Sequence, residues 1–267
     1  MRRFLIALAV VAVGGFLARA VVAQTSPVKI GVVVMHGKGG APTRHVSELA
    51  VALESAGFLV RNMEMPWSGK REYDVNVAAA VQEVEAALAA LRDAGAQKVF
   101  VAGHSQGGVF ALYFGGGHAV DGIIAIAPGG DVANAYYRAR VAEPLAEARK
   151  LVAEGRGAER TKLADFEGAK GTFAITVSPA AYVTWFDPDG AMNQAAAVRK
   201  MQSAVPVLYI APTKDYPALM RLKNQMFDAL PRHPRTKLFE PDATHLYAPT
   251  ASIQEIIAWT TGVANAR

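Results

Sequence analysis

The sequence predicts an α/β fold with a mostly parallel central sheet of about six strands flanked by helices. Short, continuously apolar runs alternate along the chain with segments whose apolar residues recur at helical spacing. Strands that are apolar on both faces belong to sheets covered on both sides, which is typical of parallel sheets. The 267 residues, 52% hydrophobic and 19% charged, are enough for one globular domain with a large core.

Six segments are predicted to be strands because each is a mainly apolar, often β-branched run that leads into a turn. They are residues 28–35, 58–67, 98–103, 122–130, 205–215 and 236–240.

Four helices are predicted between and after these strands: residues 43–56, 74–95, 107–114 and a last helix from Ser252. In the second, apolar residues recur at alternating steps of four and three, namely Val77, Val81, Val84, Leu88 and Leu91. Ser252 and Glu255 have the spacing of a capping box, in which two side chains bond the first free amides of a helix.

The alternation breaks once, in a stretch of about 131–204 that is longer than a single crossover helix requires. We call this stretch the insertion and expect it to be a helical lid over one end of the sheet, because its first half is rich in Ala, Glu and Arg. Its aromatic residues Tyr182, Trp185 and Phe186 are candidates for an apolar substrate pocket. Packing of the lid onto the sheet is the alternative.

The first 23 residues have the layout of a secretory signal peptide. Arg2 and Arg3 precede an uncharged apolar run over residues 4–18, and small residues lead to a cleavage site before Gln24. Because this run is shorter than a membrane span and is interrupted by Arg19, a retained anchor is the less favoured alternative. The sequence thus predicts a domain over residues 24–267 that works in the periplasm or outside the cell, with no stable membrane insertion after cleavage.

The composition excludes several classes of function. The net charge of +5 includes three arginines of the leader, without which 25 basic residues face 23 acidic ones. No basic stripe interleaved with aromatic residues is present, so we expect no nucleic-acid partner. The chain has no cysteine and therefore no disulfide, thiolate metal site or thiol nucleophile. Neither phosphate-loop nor dinucleotide motifs occur, no metal-ligand spacing is found, and we expect no cofactor.

One motif carries chemistry: Gly103-His104-Ser105-Gln106-Gly107, placed between a predicted strand and a predicted helix. This fits the G-x-S-x-G pattern of a sharp turn that exposes a serine hydroxyl at the end of a sheet. The flanking glycines are needed because larger side chains would collide with the adjacent strand and helix. Ser105 is therefore the candidate nucleophile, and a glycine-rich turn with an incidental serine is the alternative.

A serine hydroxyl is a weak nucleophile and needs a base, which in this architecture follows it in the chain. His245 lies after the last strand and before the last helix, in a loop at the carboxyl end of the sheet. His118 precedes the fourth strand and should face away, whereas His233 lies between two prolines in a surface loop. His245 is therefore the candidate base.

The base in turn needs an acid that orients it. Asp215 directly follows the fifth strand and is the favoured candidate. Asp131, just after the fourth strand, is a competing candidate, and Asp242 is disfavoured because it lies only three residues before His245.

Backbone amides are expected to bind the negative oxygen that forms during nucleophilic attack. The amide of Gln106 is one candidate, because it begins the helix after the serine. The turn after the first strand, residues 36–40, is glycine-rich and would supply a second amide from Gly37 or Lys38. A merely flexible turn is the alternative.

With these motifs in this order, the chain resembles the α/β-hydrolases from about Val28 to its C-terminus. The resemblance rests on "VVVMHGKGG", "VFVAGHSQGG", "VLYIAPTKD" and "DATH". Members of the family usually have eight strands, and the resemblance implies a minimal sheet here in which the first two are absent. Serine at position 105 argues against dehalogenases, which resemble the pattern with aspartate there.

The resemblance implies a serine hydrolase, and we expect a small carboxylic ester as its substrate. Ser105, His245 and Asp215 would form the catalytic triad. Cleavage of amides or thioesters by the same triad remains an alternative, as does a binding protein that uses the fold without catalysis. The acyl and alcohol groups of the substrate and the oligomeric state are not encoded in any motif of the sequence.

Overall fold

A computed structural model describes residues 27–201 and 205–266. The predicted signal peptide, residues 1–23, lies outside the described residues, as do positions 202–204 of the insertion. In the described part, no helix combines the length and the apolar character needed to cross a membrane.

The strands are β1 Ile30–Met35, β2 Leu59–Met63, β3 Lys98–His104, β4 Gly122–Ile126, β5 Thr161–Glu167, β6 Gly171–Val177, β7 Val207–Ile210 and β8 Lys237–Phe239. The helices are α1 Ser47–Ser55, α2 Val77–Asp93, α3 Gln106–Gly117, α4 Ala135–Ala153, α5 Pro179–Phe186, α6 Gln194–Arg199, α7 Pro217–Asp228, α8 Ala248–Ala251 and α9 Ile253–Ala264.

Six of these strands form one parallel sheet in the order β2-β1-β3-β4-β7-β8, which confirms the predicted fold class. The sheet separates two cores because successive side chains of a strand point to opposite faces. Val33 and Val101 face α2, α3 and the insertion, whereas Val32 and Phe100 face α1 and α9. In the register of β1 and β3, Met35 lies beside Gly103, so the turn after β1 meets the turn after β3.

The insertion differs from the predicted helical lid. It does contain the helices α4, α5 and α6, but residues 161–177 between them form an antiparallel hairpin of β5 and β6. The reason is visible in β5, where Leu163 and Asp165 point inward while Lys162 and Ala164 are more exposed. This two-residue alternation favours a strand over a helix.

The predicted capping box at the start of the last helix is wrong. Ser252 lies at the junction of α8 and α9, and its side chain caps neither helix. Because α8 runs directly into α9, the Ser252 amide already donates to Ala248 O and the junction needs no side-chain cap. By contrast, α2 is capped by Asn76, whose side chain accepts from the Ala79 amide.

Candidate active site

Ser105 occupies the sharp turn between β3 and α3. Its backbone has φ 55° and ψ −117°, a left-handed conformation that is strained for a residue with a side chain. The turn is fixed because the Ser105 amide donates to Ile126 O (2.9 Å) and its carbonyl accepts from the Gly108 amide (2.9 Å). A strained backbone conformation that neighbouring hydrogen bonds hold in place is typical of active-site residues.

The two flanking glycines of the motif are required by close backbone contacts. A Cβ on Gly103 would lie 1.9 Å from Gly107 O, and one on Gly107 would lie 2.6 Å from Met35 O. Both distances are far below any contact that a side chain can make. The predicted collision with the adjacent helix and strand is confirmed: α3 is too close to Gly103, and β1 too close to Gly107, to admit a methyl group.

The structure brings Ser105, His245 and Asp215 together in one hydrogen-bonded chain. His245 Nε2 lies 3.0 Å from Ser105 Oγ, and His245 Nδ1 lies 2.7 Å from Asp215 Oδ1. The side chains of His245 and Asp215 are 7% and 4% exposed, so water competes little with their contact. With Nδ1–H donated to the carboxylate, Nε2 is free to accept the proton of the hydroxyl.

The loops that carry His245 and Asp215 run side by side beyond β7 and β8. Lys214 and Thr244 form a parallel bridge, and the Lys214 amide donates to Ala243 O (3.1 Å). These contacts extend the register of the sheet by a few residues. The acid and the base therefore meet although 30 residues separate them in the chain.

The two other aspartates considered as the acid lie elsewhere. Asp131 caps its own turn by accepting from the Ala133 amide (2.9 Å), and burial raises the pKa of its carboxyl above the usual value. Asp242 is exposed and pairs with Lys214, whose ammonium lowers the pKa of that carboxyl. Neither carboxylate bonds to His245.

Sequence reasoning missed His104, which forms a hydrogen bond to the backbone of His245. Its Nε2 donates to His245 O at 2.9 Å, and the two rings lie 5.0 Å apart. Burial, reinforced by the neighbouring His245, lowers the pKa of His104 to about 3, so the ring is neutral at physiological pH. Its position directly before Ser105 in the motif is the signal that could have singled it out.

The turn after β1 abuts Ser105. A Cβ on Gly37 would lie 3.1 Å from Ser105 Cβ, which places this backbone against the hydroxyl-bearing residue. Within the turn, Gly39 N donates to Trp67 O (2.8 Å) and Gly40 N to Gly37 O (3.1 Å). In the described part of the chain, the amides of Gly37 and Lys38 donate to no other backbone group, and neither does that of Gln106. These are the three amides that the sequence suggested for binding an oxyanion.

A second histidine missed by sequence reasoning, His36, holds this turn in place. Its Nδ1 donates to Gly37 O (2.7 Å), its Nε2 accepts from the Met65 amide (3.0 Å), and its carbonyl accepts from Trp67 Nε1 (2.8 Å). Burial lowers the pKa of His36, which favours the neutral ring that these bonds require. The turn is therefore an ordered part of the structure.

The family follows from a match that covers most of the chain. Residues 32–258 fit the model of the alpha/beta hydrolase family. The chain belongs to this family. No well-characterised protein matches the sequence significantly.

Solved structures similar to this hydrolase agree with it in fold. A monoacylglycerol lipase of Paleococcus ferrophilus is 20% identical with a TM-score of 0.61, covering 87% of this chain and 94% of that one. A thermostable carboxyl esterase of Bacillus coagulans is 16% identical with a TM-score of 0.60, covering 90% and 92%. An esterase domain from Rhodothermus marinus is 19% identical with a TM-score of 0.57, covering 90% and 89%. At these identities the likeness concerns the fold alone.

The aromatic residues predicted to line a pocket of this hydrolase lie in the core instead. Tyr182, Trp185 and Phe186 are each at most 1% exposed. Tyr182 stacks on Phe186 with ring centroids 4.0 Å apart, and Trp185 packs edge-on against Trp67 at 5.5 Å. Trp185 also contacts Phe110 of α3, so these rings pack the insertion against α3 and the loop between β2 and α2. The prediction that they line a pocket is wrong because the insertion buries this side of α5.

A cavity of about 240 Å³ is bordered by Asp215, Leu219, Met220 and the end of β7. Of the three residues in the hydrogen-bonded chain, Asp215 lines it and Ser105 and His245 do not. A side-chain carbon placed on Gly129 would lie 3.1 Å from Leu219 Cδ1 and 3.6 Å from Ser105 Oγ, so Gly129 leaves space between Leu219 and the hydroxyl.

Proposed function

We propose that this protein is a serine hydrolase that cleaves carboxylic esters. The observation that carries the proposal is the continuous hydrogen-bonded chain from Ser105 Oγ through His245 to Asp215. Its strained serine turn and the three backbone amides beside it supply the other parts that acyl transfer requires. The lipase and esterase names of the similar structures support an ester as the substrate.

In the first half of the reaction, Ser105 Oγ attacks the acyl carbon while His245 Nε2 takes the hydroxyl proton. The carbonyl oxygen becomes negative and is bound by the amide of Gln106 together with that of Gly37 or Lys38. Asp215 holds His245 in the required tautomer and stabilises its cation. The intermediate collapses, His245 returns the proton to the alcohol oxygen, and an acyl-Ser105 ester remains.

In the second half, a water molecule takes the place of the alcohol. His245 accepts one proton of the water as its oxygen attacks the acyl carbon, and the same amides bind the oxyanion. Collapse expels Ser105 Oγ, which recovers its proton from His245, and the carboxylic acid leaves. The proposed reaction consumes one water per ester and needs no cofactor.

The decisive experiment pairs ester hydrolysis with covalent labelling by a fluorophosphonate. Wild type should be labelled on Ser105, and Ser105→Ala should lose labelling and about a millionfold in turnover. Ser252→Ala is a matched control, since Ser252 is buried and its hydroxyl has no hydrogen-bond partner in the described structure. This variant should keep full activity.

The same experiment separates the alternatives. Wild-type turnover by Ser105→Ala refutes the assignment of the nucleophile. Labelling together with cleavage of amides or thioesters but not of esters indicates a peptidase, amidase or thioesterase. A folded wild-type protein that is not labelled at all indicates a binding protein.

We also propose that residues 1–23 are removed during export to the periplasm or the medium. The arginines, the apolar run and the small residues before Gln24 support this proposal. N-terminal sequencing of the protein expressed from its full-length gene should begin at Gln24, whereas an intact Met1 on the exported protein contradicts it.

A further inference from the structure

Asp165 is a buried carboxylate that the proposed reaction does not use. It lies on β5 of the insertion and is 1% exposed. Its Oδ1 accepts hydrogen bonds from Lys38 Nζ (2.6 Å), from the Tyr137 hydroxyl (2.8 Å) and from the Phe166 amide (2.6 Å). Its Oδ2 accepts from the Tyr73 hydroxyl at 3.3 Å. Two of these partners, Lys38 and Tyr73, connect Asp165 to the residues whose backbone amides are candidate oxyanion donors.

The first connection runs through Lys38, whose own amide is a candidate oxyanion donor. Its ammonium has three hydrogens, and three acceptors surround it: Asp165 Oδ1 (2.6 Å), the Tyr137 hydroxyl (2.6 Å) and Phe166 O (3.2 Å). The side chain is only 9% exposed, so water does not replace these contacts. The turn after β1 is thus anchored to the hairpin through the side chain of one of its amide donors.

The second connection runs through Tyr73 to Gln106. The Gln106 side-chain amide donates to the Tyr73 hydroxyl (3.2 Å), which donates to Asp165 Oδ2. Burial and the Asp165 charge raise the pKa of Tyr73, so its hydroxyl keeps the proton that it donates. Tyr73 reaches this place from a left-handed backbone with φ 56°. The strained conformation is held because Glu72 accepts from the Thr176 amide of the hairpin at 3.3 Å.

We propose that Asp165 is a positioning residue that fixes the turn after β1 and the start of α3 relative to each other, and with them both oxyanion-binding amides. The inference rests on the proposed function of these amides. Oxyanion donors are effective only when they are held in position before the charge develops. One carboxylate on the insertion reaches both donor residues through their side chains, which leaves both backbone amides free to bind the substrate oxygen.

Stability alone is a poor explanation for this arrangement. A buried ion pair contributes little to stability compared with apolar side chains of similar volume, because two charges must leave water. Aromatic packing of Trp185 and Phe186 on Trp67 and Tyr73 already holds the insertion against the loop between β2 and α2. A connected polar network does, however, fix the geometry of its members.

The test compares Asp165→Asn, Tyr73→Phe and Tyr182→Phe. Tyr182→Phe is the matched control: it removes a 2.6 Å hydrogen bond from Tyr182 to Ala164 O in the same hairpin but touches neither Lys38 nor Gln106. Loss of a whole oxyanion donor costs about 100- to 1,000-fold in kcat, so we expect a loss of about 10- to 100-fold for Asp165→Asn with KM nearly unchanged. Tyr73→Phe keeps the ion pair and should lose about three- to tenfold.

Asp165→Asn leaves the Lys38 ammonium buried without its counter-charge, and we expect this variant to unfold more easily. Tyr73→Phe keeps both charges and tests the same proposal in a folded protein. Wild-type kcat in Tyr73→Phe and in any folded Asp165→Asn protein overturns the proposal. A loss of kcat in Tyr182→Phe equal to that in Asp165→Asn also overturns it, since the hairpin would then act only by its stability.

Amide hydrogen exchange separates failure of this inference from failure of the proposed function. If the wild type is not labelled by a fluorophosphonate, the proposed function fails, but exchange still reports on positioning. Asp165→Asn should speed exchange in the segments 36–40 and 105–109, while Tyr182→Phe should leave both segments unchanged. Unchanged exchange in Asp165→Asn overturns the inference whether or not the protein hydrolyses esters.

Discussion

His104 should make the stability of this hydrolase depend on pH below neutrality. Burial lowers the pKa of His104 from 6.5 to about 3. Between these values the unfolded chain binds a proton at this position and the folded protein does not, so the free energy of unfolding decreases as the pH falls. Above pH 6.5 His104 is neutral in both states and costs no stability. As the pH falls from 6.5 toward 3, the free energy of unfolding decreases progressively. From neutral pH to about pH 4.5 the expected loss is about 2–3 kcal/mol.

Urea denaturation at a series of pH values measures this effect, with His104→Gln as the comparison. Glutamine has no proton to take up, and its amide can still donate toward His245 O. Other groups also titrate: the lowered pKa of His36 acts in the same direction, and the raised pKa of Asp131 acts in the opposite direction. Because both variants share them, the difference between the two pH profiles isolates His104.

We expect the wild-type free energy of unfolding to approach or fall below that of His104→Gln as the pH decreases, even where wild type is more stable at neutral pH. Parallel profiles between pH 7 and pH 4.5 would refute the reasoning, since they would mean that His104 takes up its proton equally well in the folded protein.

Two further predictions concern the candidate acid Asp215 and the sharp turn between β3 and α3. Asp215→Asn should lower kcat by about 10⁴-fold, because the amide favours the wrong tautomer of His245, whereas Asp131→Asn should keep kcat within about twofold. Equal losses in steady-state assays of the two variants would contradict the assignment of the acid. Gly107→Ala should lower Tm by several degrees, since overpacking costs about 1–3 kcal/mol. Gly117→Ala in the same helix is the control, because a Cβ there meets nothing within 4 Å; a Tm equal to that of this control would be unexpected for Gly107→Ala.

Much of the fold could be predicted because its signals are local. The runs that form the four inner strands β1, β3, β4 and β7 are apolar on both faces, and this pattern by itself indicates a covered parallel sheet. The hairpin of β5 and β6 was missed because one of its faces carries Lys162, Thr172 and Thr176, residue types that are equally common in a solvated helix or loop. The row formed by Leu163 and Asp165 on one face of β5 was a weak signal beside the helical composition that precedes it.

The candidate site, too, could be predicted from the sequence only in part. The turn at Ser105 is recognisable from the sequence because a sharp turn between a strand and a helix requires glycines at neighbouring positions. The tertiary structure alone decided which aspartate meets His245, since Asp131 and Asp215 both follow strands and differ only in where the sheet order places them. It also showed that the aromatic residues of α5, which were predicted to line a pocket, lie in the core.

The sequence by itself determined the kind of sheet, the turn that exposes Ser105 and the order of the reactive residues, because backbone sterics and side-chain periodicity act over a few neighbouring residues. Only the tertiary structure decided that Asp165, more than 50 residues beyond Gln106 in the chain, connects to both Lys38 and Gln106. Such a buried network arises where separate segments pack together and exclude water, and its members carry no motif that marks them in advance.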